Sequence, residues 1–118
     1  VRDGMRGWGR LRGEILRREH EKRGFGIDPV SLMRQHDFPC TTVWDIAEKE
    51  ATSARYAAEI RWTPQDEVWR DLDAVDLGEH WYGAAYGALV EAYLPDAHIK
   101  WPRLQCRGDA VSEIEITA

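Results

Sequence analysis

The chain has 118 residues, a length typical of one domain with a single modest core. Its apolar content of 43% and charged content of 31% exclude a disordered or fibrous protein. No apolar run approaches the roughly 20 residues of a membrane helix, and the first residues lack the apolar stretch of a signal peptide. The two cysteines, Cys40 and Cys106, are too few for a disulfide framework. We therefore expect a cytoplasmic protein with no membrane partner.

The net charge of −5 is distributed unevenly along the chain. Residues 1–24 hold eight Arg or Lys against four acidic residues and carry +4, which leaves −9 on the remainder. A basic segment of this kind either binds nucleic acid or docks on its own acidic domain or on a second subunit. Because the domain as a whole is acidic, and no stripe of basic and aromatic residues follows, we expect docking and no nucleic-acid partner.

The first part of the chain predicts a loose lead-in and one helix. Residues 1–9 contain three glycines, and we expect them to lack regular structure. From about Arg10, apolar residues recur at helical spacing among charges, until Gly24 and Gly26 end the pattern.

Two capping patterns predict further helices. Asp28 followed by Pro29 is typical of an N-cap and a first helical residue, so a short helix is expected to run to about His36. Thr42, with Asp45 three residues later, predicts the cap of a longer helix. The apolar stripe of that helix would comprise Val43, Ile46, Ala47, Ala51 and Ala54.

The pattern then changes to the alternation of a strand, which we expect over residues 57–62. Thr63 is expected to cap a helix over about 64–72. Gly78 is expected to break the chain before a second helix over about 79–93.

Pro95 ends this second helix, and two strands over residues 98–104 and 111–116 form a closing hairpin around Gly108-Asp109. These elements predict an α+β fold in a single domain over residues 1–118. The N-terminal helical part, residues 10–56, would pack on one face of a small antiparallel sheet of three strands.

Several short motifs follow one another in the second half of the chain. They are Pro64 with Val68 and Trp69, then Leu77-Gly78, Tyr93-Leu94-Pro95 and Gly108-Asp109. In this order the chain resembles the family of L-2-amino-thiazoline-4-carboxylic acid hydrolases. At the level of the fold it is also similar to ligand-binding domains of the 4-vinyl-reductase and nitric-oxide-sensor type. The motifs span about 50–60 residues.

The chain departs from the hydrolase family at its cysteines. Thr63 stands where the family has the first, Trp81 or Tyr82 stands near the second, and Ser112 stands near the third. The resemblance implies a hydrolase that opens a heterocycle or cleaves a C–N bond. Such an enzyme would have to act without those thiols. The alternative is a binding or sensor domain that holds a ligand without converting it.

The helix over residues 79–93 is the candidate wall of a site. Tyr82, Tyr86 and Tyr93 fall near one face, at spacings of four and seven residues, and the alternative to a site is a tyrosine stripe half in the core of a closely packed helix. Another face carries only small residues, so that a ligand or a second helix can approach closely. These small residues are Gly83, Ala84, Gly87 and Ala88.

Candidate catalytic residues are Glu79, His80 and Asp109. The first two would lie at a helix N-terminus, where backbone N–H groups attract anions and lower the pKa of a histidine. In a hydrolase, His80 or Asp109 would activate water, Glu79 or Tyr82 would donate a proton, and Arg61 would hold a substrate carboxylate. The alternatives are an exposed or structural histidine and ordinary Gly-Asp turn chemistry.

Six tryptophans indicate an aromatic pocket for a small organic molecule. The candidate binding residues are Tyr82, Tyr86, Trp62, Trp81, Arg61 and Cys106. Cys106 would be a nucleophile only beside a histidine, and otherwise a buried inert thiol. No pair of residues has metal-ligand spacing, so neither a metal nor a cofactor is predicted. A third hypothesis is an interaction protein, a homo-oligomer formed through the small-residue face or the basic segment.

Overall fold

The computed structural model describes residues 1–35 and 44–118. The elements in chain order are α1 (Arg2–Arg23), α2 (Pro29–Arg34), β1 (Asp45–Ala51), β2 (Arg55–Trp62), α3 (Pro64–Asp71), α4 (Val75–His80), a π-helical segment (Trp81–Tyr86), α5 (Gly87–Tyr93), β3 (His98–Arg103), a 3₁₀ turn (Gln105–Arg107) and β4 (Ser112–Thr117). The fold is α+β, as predicted. The described residues contain four strands, one more than expected.

The sheet has the strand order β1-β2-β4-β3, with every neighbouring pair antiparallel. Tyr56 pairs with Ile116, and Ala58 pairs with Ile114; all four side chains are buried in the core. The charged residues Glu59, Glu113 and Glu115 lie on the other side with Ala57, because successive side chains of a strand point to opposite faces. The predicted strand over 57–62 and the closing hairpin are confirmed.

Helix α1 begins at Arg2, so the predicted loose lead-in is wrong. Gly9 and Gly13 lie against the helix formed by the π segment and α5. A Cβ added at Gly9 would lie 2.0 Å from the carbonyl oxygen of Ala85, and one at Gly13 would lie 2.3 Å from that of Leu89. These glycines permit close helix packing. Gly24, at φ 76°, ends α1 as predicted.

Strand β1 replaces the described part of the helix that was predicted from Thr42; Thr42 and Val43 themselves lie outside the described residues. Its Ala, Glu and Lys residues favour a helix intrinsically. Pairing with β2 overrides that preference, with Ile46 opposite Ile60. A register shift between Glu48 and Glu50 interrupts the strict alternation that would have predicted a strand.

Gly78 does not break the chain, because α4, the π segment and α5 follow one another without a gap from Val75 to Tyr93. The glycine is required by packing: an added Cβ would lie 2.9 Å from Sγ of Cys106 and 3.1 Å from the ring of Trp69. The helix ends at Tyr93, shortly before Pro95, as predicted.

The tyrosine stripe lies in the core, where Tyr82, Tyr86 and Tyr93 are at most 1% exposed. Nδ1 of the buried His20 is hydrogen-bonded to the hydroxyl of Tyr93, and its Nε2 lies 2.9 Å from the carbonyl oxygen of Gln35. This pair therefore joins α1 to α5. Among the described residues, none of the helices has the length and apolar composition needed to cross a bilayer.

Candidate functional site

The structure brings most of the tryptophans into one group of touching rings. Ring centroids are 4.9 Å apart for Trp8 and Trp81, 6.4 Å for Trp69 and Trp81, and 4.6 Å for Tyr82 and Trp101. These spacings are those of favourable aromatic pairs. We call this group, completed by Tyr86, the aromatic cluster; its members are Trp8, Trp69, Trp81, Tyr82, Tyr86 and Trp101.

Three of the predicted binding residues, Trp62, Arg61 and Cys106, lie outside the aromatic cluster. Trp62 is 43% exposed, and its Nε1 donates to Oε2 of Glu67 over 2.9 Å. Arg61 is exposed, and its Nε lies 3.2 Å from Oε1 of Glu59. We expected the Trp62 ring and the Arg61 guanidinium to contact a ligand. In the structure, each contacts a nearby glutamate at the surface.

A buried carboxylate lies beside the aromatic cluster. Asp66 is 2% exposed in the first turn of α3, and its Oδ2 accepts hydrogen bonds from the hydroxyls of Tyr82 (2.7 Å) and Thr63 (2.8 Å). The backbone N–H of Asp66 donates to Oγ1 of Thr63, which is the expected N-cap of this helix. Oδ1 of Asp66 is buried and has no hydrogen-bond partner among the described residues. One oxygen of a buried carboxylate therefore lacks a hydrogen-bond partner among the described residues.

Asp66 was not among the candidate residues. The sequence did show the capping pattern Thr63-Pro64-Gln65-Asp66, which predicts a side chain at the start of a helix. Burial of that carboxylate depends on the later approach of Tyr82 and of the 3₁₀ turn, which no local pattern encodes. Burial, and then the charge of Asp66, raise the pKa of Tyr82 far above its ordinary value.

Cys106 lies in the 3₁₀ turn and is 3% exposed. Burial, followed by the negative charge of Asp66, raises the pKa of its thiol to about 11. A thiolate is required for nucleophilic attack or metal ligation, and this environment favours the neutral thiol. The geometry thus matches the inert buried cysteine that was the alternative to a nucleophile.

The three candidate catalytic residues have separate local environments. Oε1 of Glu79 lies 3.3 Å from Nε of Arg107, and Oδ2 of Asp109 accepts a 2.9 Å hydrogen bond from the backbone N–H of Leu104. His80 is the last residue of α4 and continues directly into the π segment. Glu79 and His80 therefore do not lie at a helix N-terminus, and the expected effect of free N–H groups does not apply to them.

Tyr86 is 1% exposed, and its hydroxyl lies 3.5 Å from Sδ of Met33. It contributes to the core between the helices and the sheet.

A groove of about 550 Å³ runs between α1 and the start of β3. We call it the α1–β3 groove. Its floor is the small-residue face that the sequence predicted, Gly83, Ala84, Gly87 and Ala88. Arg6 and Arg10 of α1 line one side, and His98 and Ile99 line the other. Helix α1 itself packs on Ala85 and Leu89. Within the small-residue face, Gly83 is exposed and Gly87 is half-buried, whereas Ala84 and Ala88 are buried.

The described residues bring together no group of three or more His, Cys, Asp or Glu side chains that could hold a metal ion. Comparison with known proteins gives no match to any family model, curated protein or solved structure.

Proposed function

We propose that this protein is a small-molecule binding domain and that its ligand lies in the α1–β3 groove. The observation that carries the proposal is the volume of the groove, about 550 Å³, above a floor of glycine and alanine. Ligand pockets in proteins typically have volumes of roughly 300–1,000 Å³. The groove therefore has room for a small organic molecule.

The glycines of the floor support this proposal. A Cβ added at Gly83 or Gly87 would meet no atom within 4 Å, in contrast to Gly9, Gly13 and Gly78. Glycine inside a helix costs roughly 0.5–1 kcal/mol relative to alanine. At Gly83 and Gly87 no close packing accounts for that cost. Contact with a ligand along the open floor would account for it.

The resemblance of the second half to ligand-binding domains agrees with this proposal, which needs none of the missing family cysteines. Three further observations favour binding over catalysis. Glu79 is in an ion pair, Asp109 accepts a hydrogen bond from a backbone N–H group, and the pKa of Cys106 is raised.

A hydrolase is the second candidate, and the unpartnered Oδ1 of Asp66 favours it. As the water oxygen bonds to a ring carbon and the C–N bond breaks, this carboxylate oxygen would accept a proton from the water. Asp66 would then return that proton to the leaving nitrogen. His80 and Asp109, which were proposed from the sequence, are the alternatives to Asp66 as the base that activates water.

Filling the groove tests the proposal. Gly87→Leu places a side chain in the open space above the floor, and Gly4→Leu is a matched control at another helical glycine with open space around it. We would titrate 2-amino-thiazoline-4-carboxylate and related heterocycles, follow backbone amide shifts by NMR, and monitor the addition of one water by mass spectrometry.

We expect saturable shifts at Gly83 and Gly87 that Gly87→Leu abolishes and Gly4→Leu retains. Conversion of a compound would favour the hydrolase, and loss of that conversion in Asp66→Asn would assign the reaction to this carboxylate. Shifts that avoid the groove, or that survive Gly87→Leu unchanged, would contradict the proposed binding site.

A further inference from the structure

We infer, building on the proposed function, that the ligand of the α1–β3 groove carries an anionic group, a carboxylate or a phosphate, bound by Arg6 and Arg10. Both arginines line the groove and both are exposed. They are four residues apart on α1, which places them on the same face, one turn apart.

Neither arginine side chain makes an ion pair or hydrogen bond with another residue in the described part of the chain, although many other arginine side chains do. The paired ones are Arg17, Arg23, Arg34, Arg55, Arg61, Arg103 and Arg107. Arg2, Arg18 and Arg70 also make no ion pair with a described residue, but they do not line the α1–β3 groove. Arg6 and Arg10 are thus set apart by facing an open groove together with no carboxylate bound to either.

Two like charges at this helical spacing repel each other. An anion between them would replace that repulsion with two charge-assisted contacts. The guanidinium group is suited to this task, because its planar set of N–H donors matches a carboxylate or phosphate.

The other charged and titratable groups of the groove are His98 and Glu91. Two permanent positive charges therefore face one negative charge. An adjoining pocket of about 230 Å³, which Arg6 and Arg10 also line, adds Glu14. The groove proper thus carries a net charge of +1 on a chain whose net charge is −5, and Glu14 balances it only in the adjoining pocket.

Three probe ligands distinguish the effect of ligand charge on binding from that of ligand shape, and the binding of a carboxylate from that of a phosphate. Pyridine-3-carboxylate and pyridine-3-carboxamide share a ring and differ in charge, and inorganic phosphate offers charge without a ring. Each would be titrated at low ionic strength while the amide signals of Gly83 and Gly87 are followed by NMR. The test variant is Arg6→Gln with Arg10→Gln. The matched control is Arg2→Gln with Arg18→Gln, which removes the same charge from the same helix.

We expect the carboxylate to bind at least about ten-fold more tightly than the carboxamide, and the test variant, but not the control, to remove that difference. Phosphate that competes with the carboxylate would show that either anion satisfies the arginines; phosphate that does not would restrict the site to carboxylates.

Equal binding of carboxylate and carboxamide in the groove, or equal loss in test and control variants, would overturn the inference and leave the proposed binding function standing. Failure of every probe, including the heterocycles above, to shift the groove amides would instead contradict the binding function itself.

Discussion

The hydroxyl of Tyr82 donates a 2.7 Å hydrogen bond to Oδ2 of Asp66, and both side chains are at most 2% exposed. The bond connects the π segment to the first turn of α3. Residues 72–74 and helix α4 separate these two elements in the chain, and both elements contribute rings to the aromatic cluster.

Removal of this hydrogen bond should destabilise the fold. Tyr82→Phe leaves a buried carboxylate with one fewer donor, and we expect a loss of about 1–3 kcal/mol in the free energy of unfolding. A double-mutant cycle with Asp66→Ala, measured by urea unfolding, isolates the pair. Additive effects of the two substitutions would show that the hydrogen bond contributes nothing.

Two helical glycines should respond in opposite directions to a methyl group. Gly9→Ala brings Cβ to 2.0 Å from a backbone carbonyl, so α1 must move away from the π segment, and we expect a loss of about 2 kcal/mol or more. Gly4→Ala meets open space and should stabilise the helix by up to about 1 kcal/mol. Thermal unfolding followed by circular dichroism compares them. Similar midpoints would refute the close contact.

Native Cys106 should react slowly with alkylating agents. With a pKa of about 11, its thiolate fraction at pH 8 is on the order of one in a thousand, and burial limits access further. In a Cys40→Ser background, we expect iodoacetamide labelling to be at least about 100-fold slower than in urea and to accelerate up to pH 10. Native labelling at the unfolded rate would disprove the raised pKa.

The ion pair of Arg34 with Glu48 should make part of the stability depend on acid pH. The hydrogen bond from Arg34 lowers the pKa of Glu48 in the folded state. Its contribution is therefore complete above the unfolded pKa, about 4.3, and disappears as the pH falls through the lower folded pKa. The effect is small, because both side chains are partly exposed.

Arg34→Gln should therefore reduce the difference between urea midpoints at pH 6 and pH 3. Arg70→Gln, which changes an arginine without an ion pair among the described residues, serves as the control. An unchanged pH dependence in Arg34→Gln would exclude this coupling.

The sequence predicted elements whose signals are local. Thr63 and Asp28 cap helices because an N-cap depends on neighbouring N–H groups. Strand β2 was predicted because its sequence places Ala58 and Ile60 on one face and Glu59 and Arg61 on the other, although Ala57 is buried as well. The spacing of Tyr82, Tyr86 and Tyr93 correctly placed them on one face, though that face proved to be core.

The wrong predictions arose where a distant partner determines the structure. Gly9 was interpreted as part of a loose lead-in and Gly78 as a break, but their role appears only once Ala85 and Cys106 are opposite them. Strand β1 has a helix-favouring composition and depends on β2 for its conformation. For the same reason Asp66 could be placed at a helix start but not in a buried network.

The π segment lets the long helix hold one extra residue without turning its two ends relative to each other. A π turn accommodates one extra residue relative to α-helical geometry, and each residue of an α-helix turns the chain by about 100°. In a regular α-helix, that extra residue would rotate α4 by about this angle relative to α5. Deletion of one residue within 81–86 would therefore restore a regular α-helix while Tyr93 keeps its contact with His20 and α4 keeps its face towards α3. One further residue inserted there would instead turn α4 away from α3.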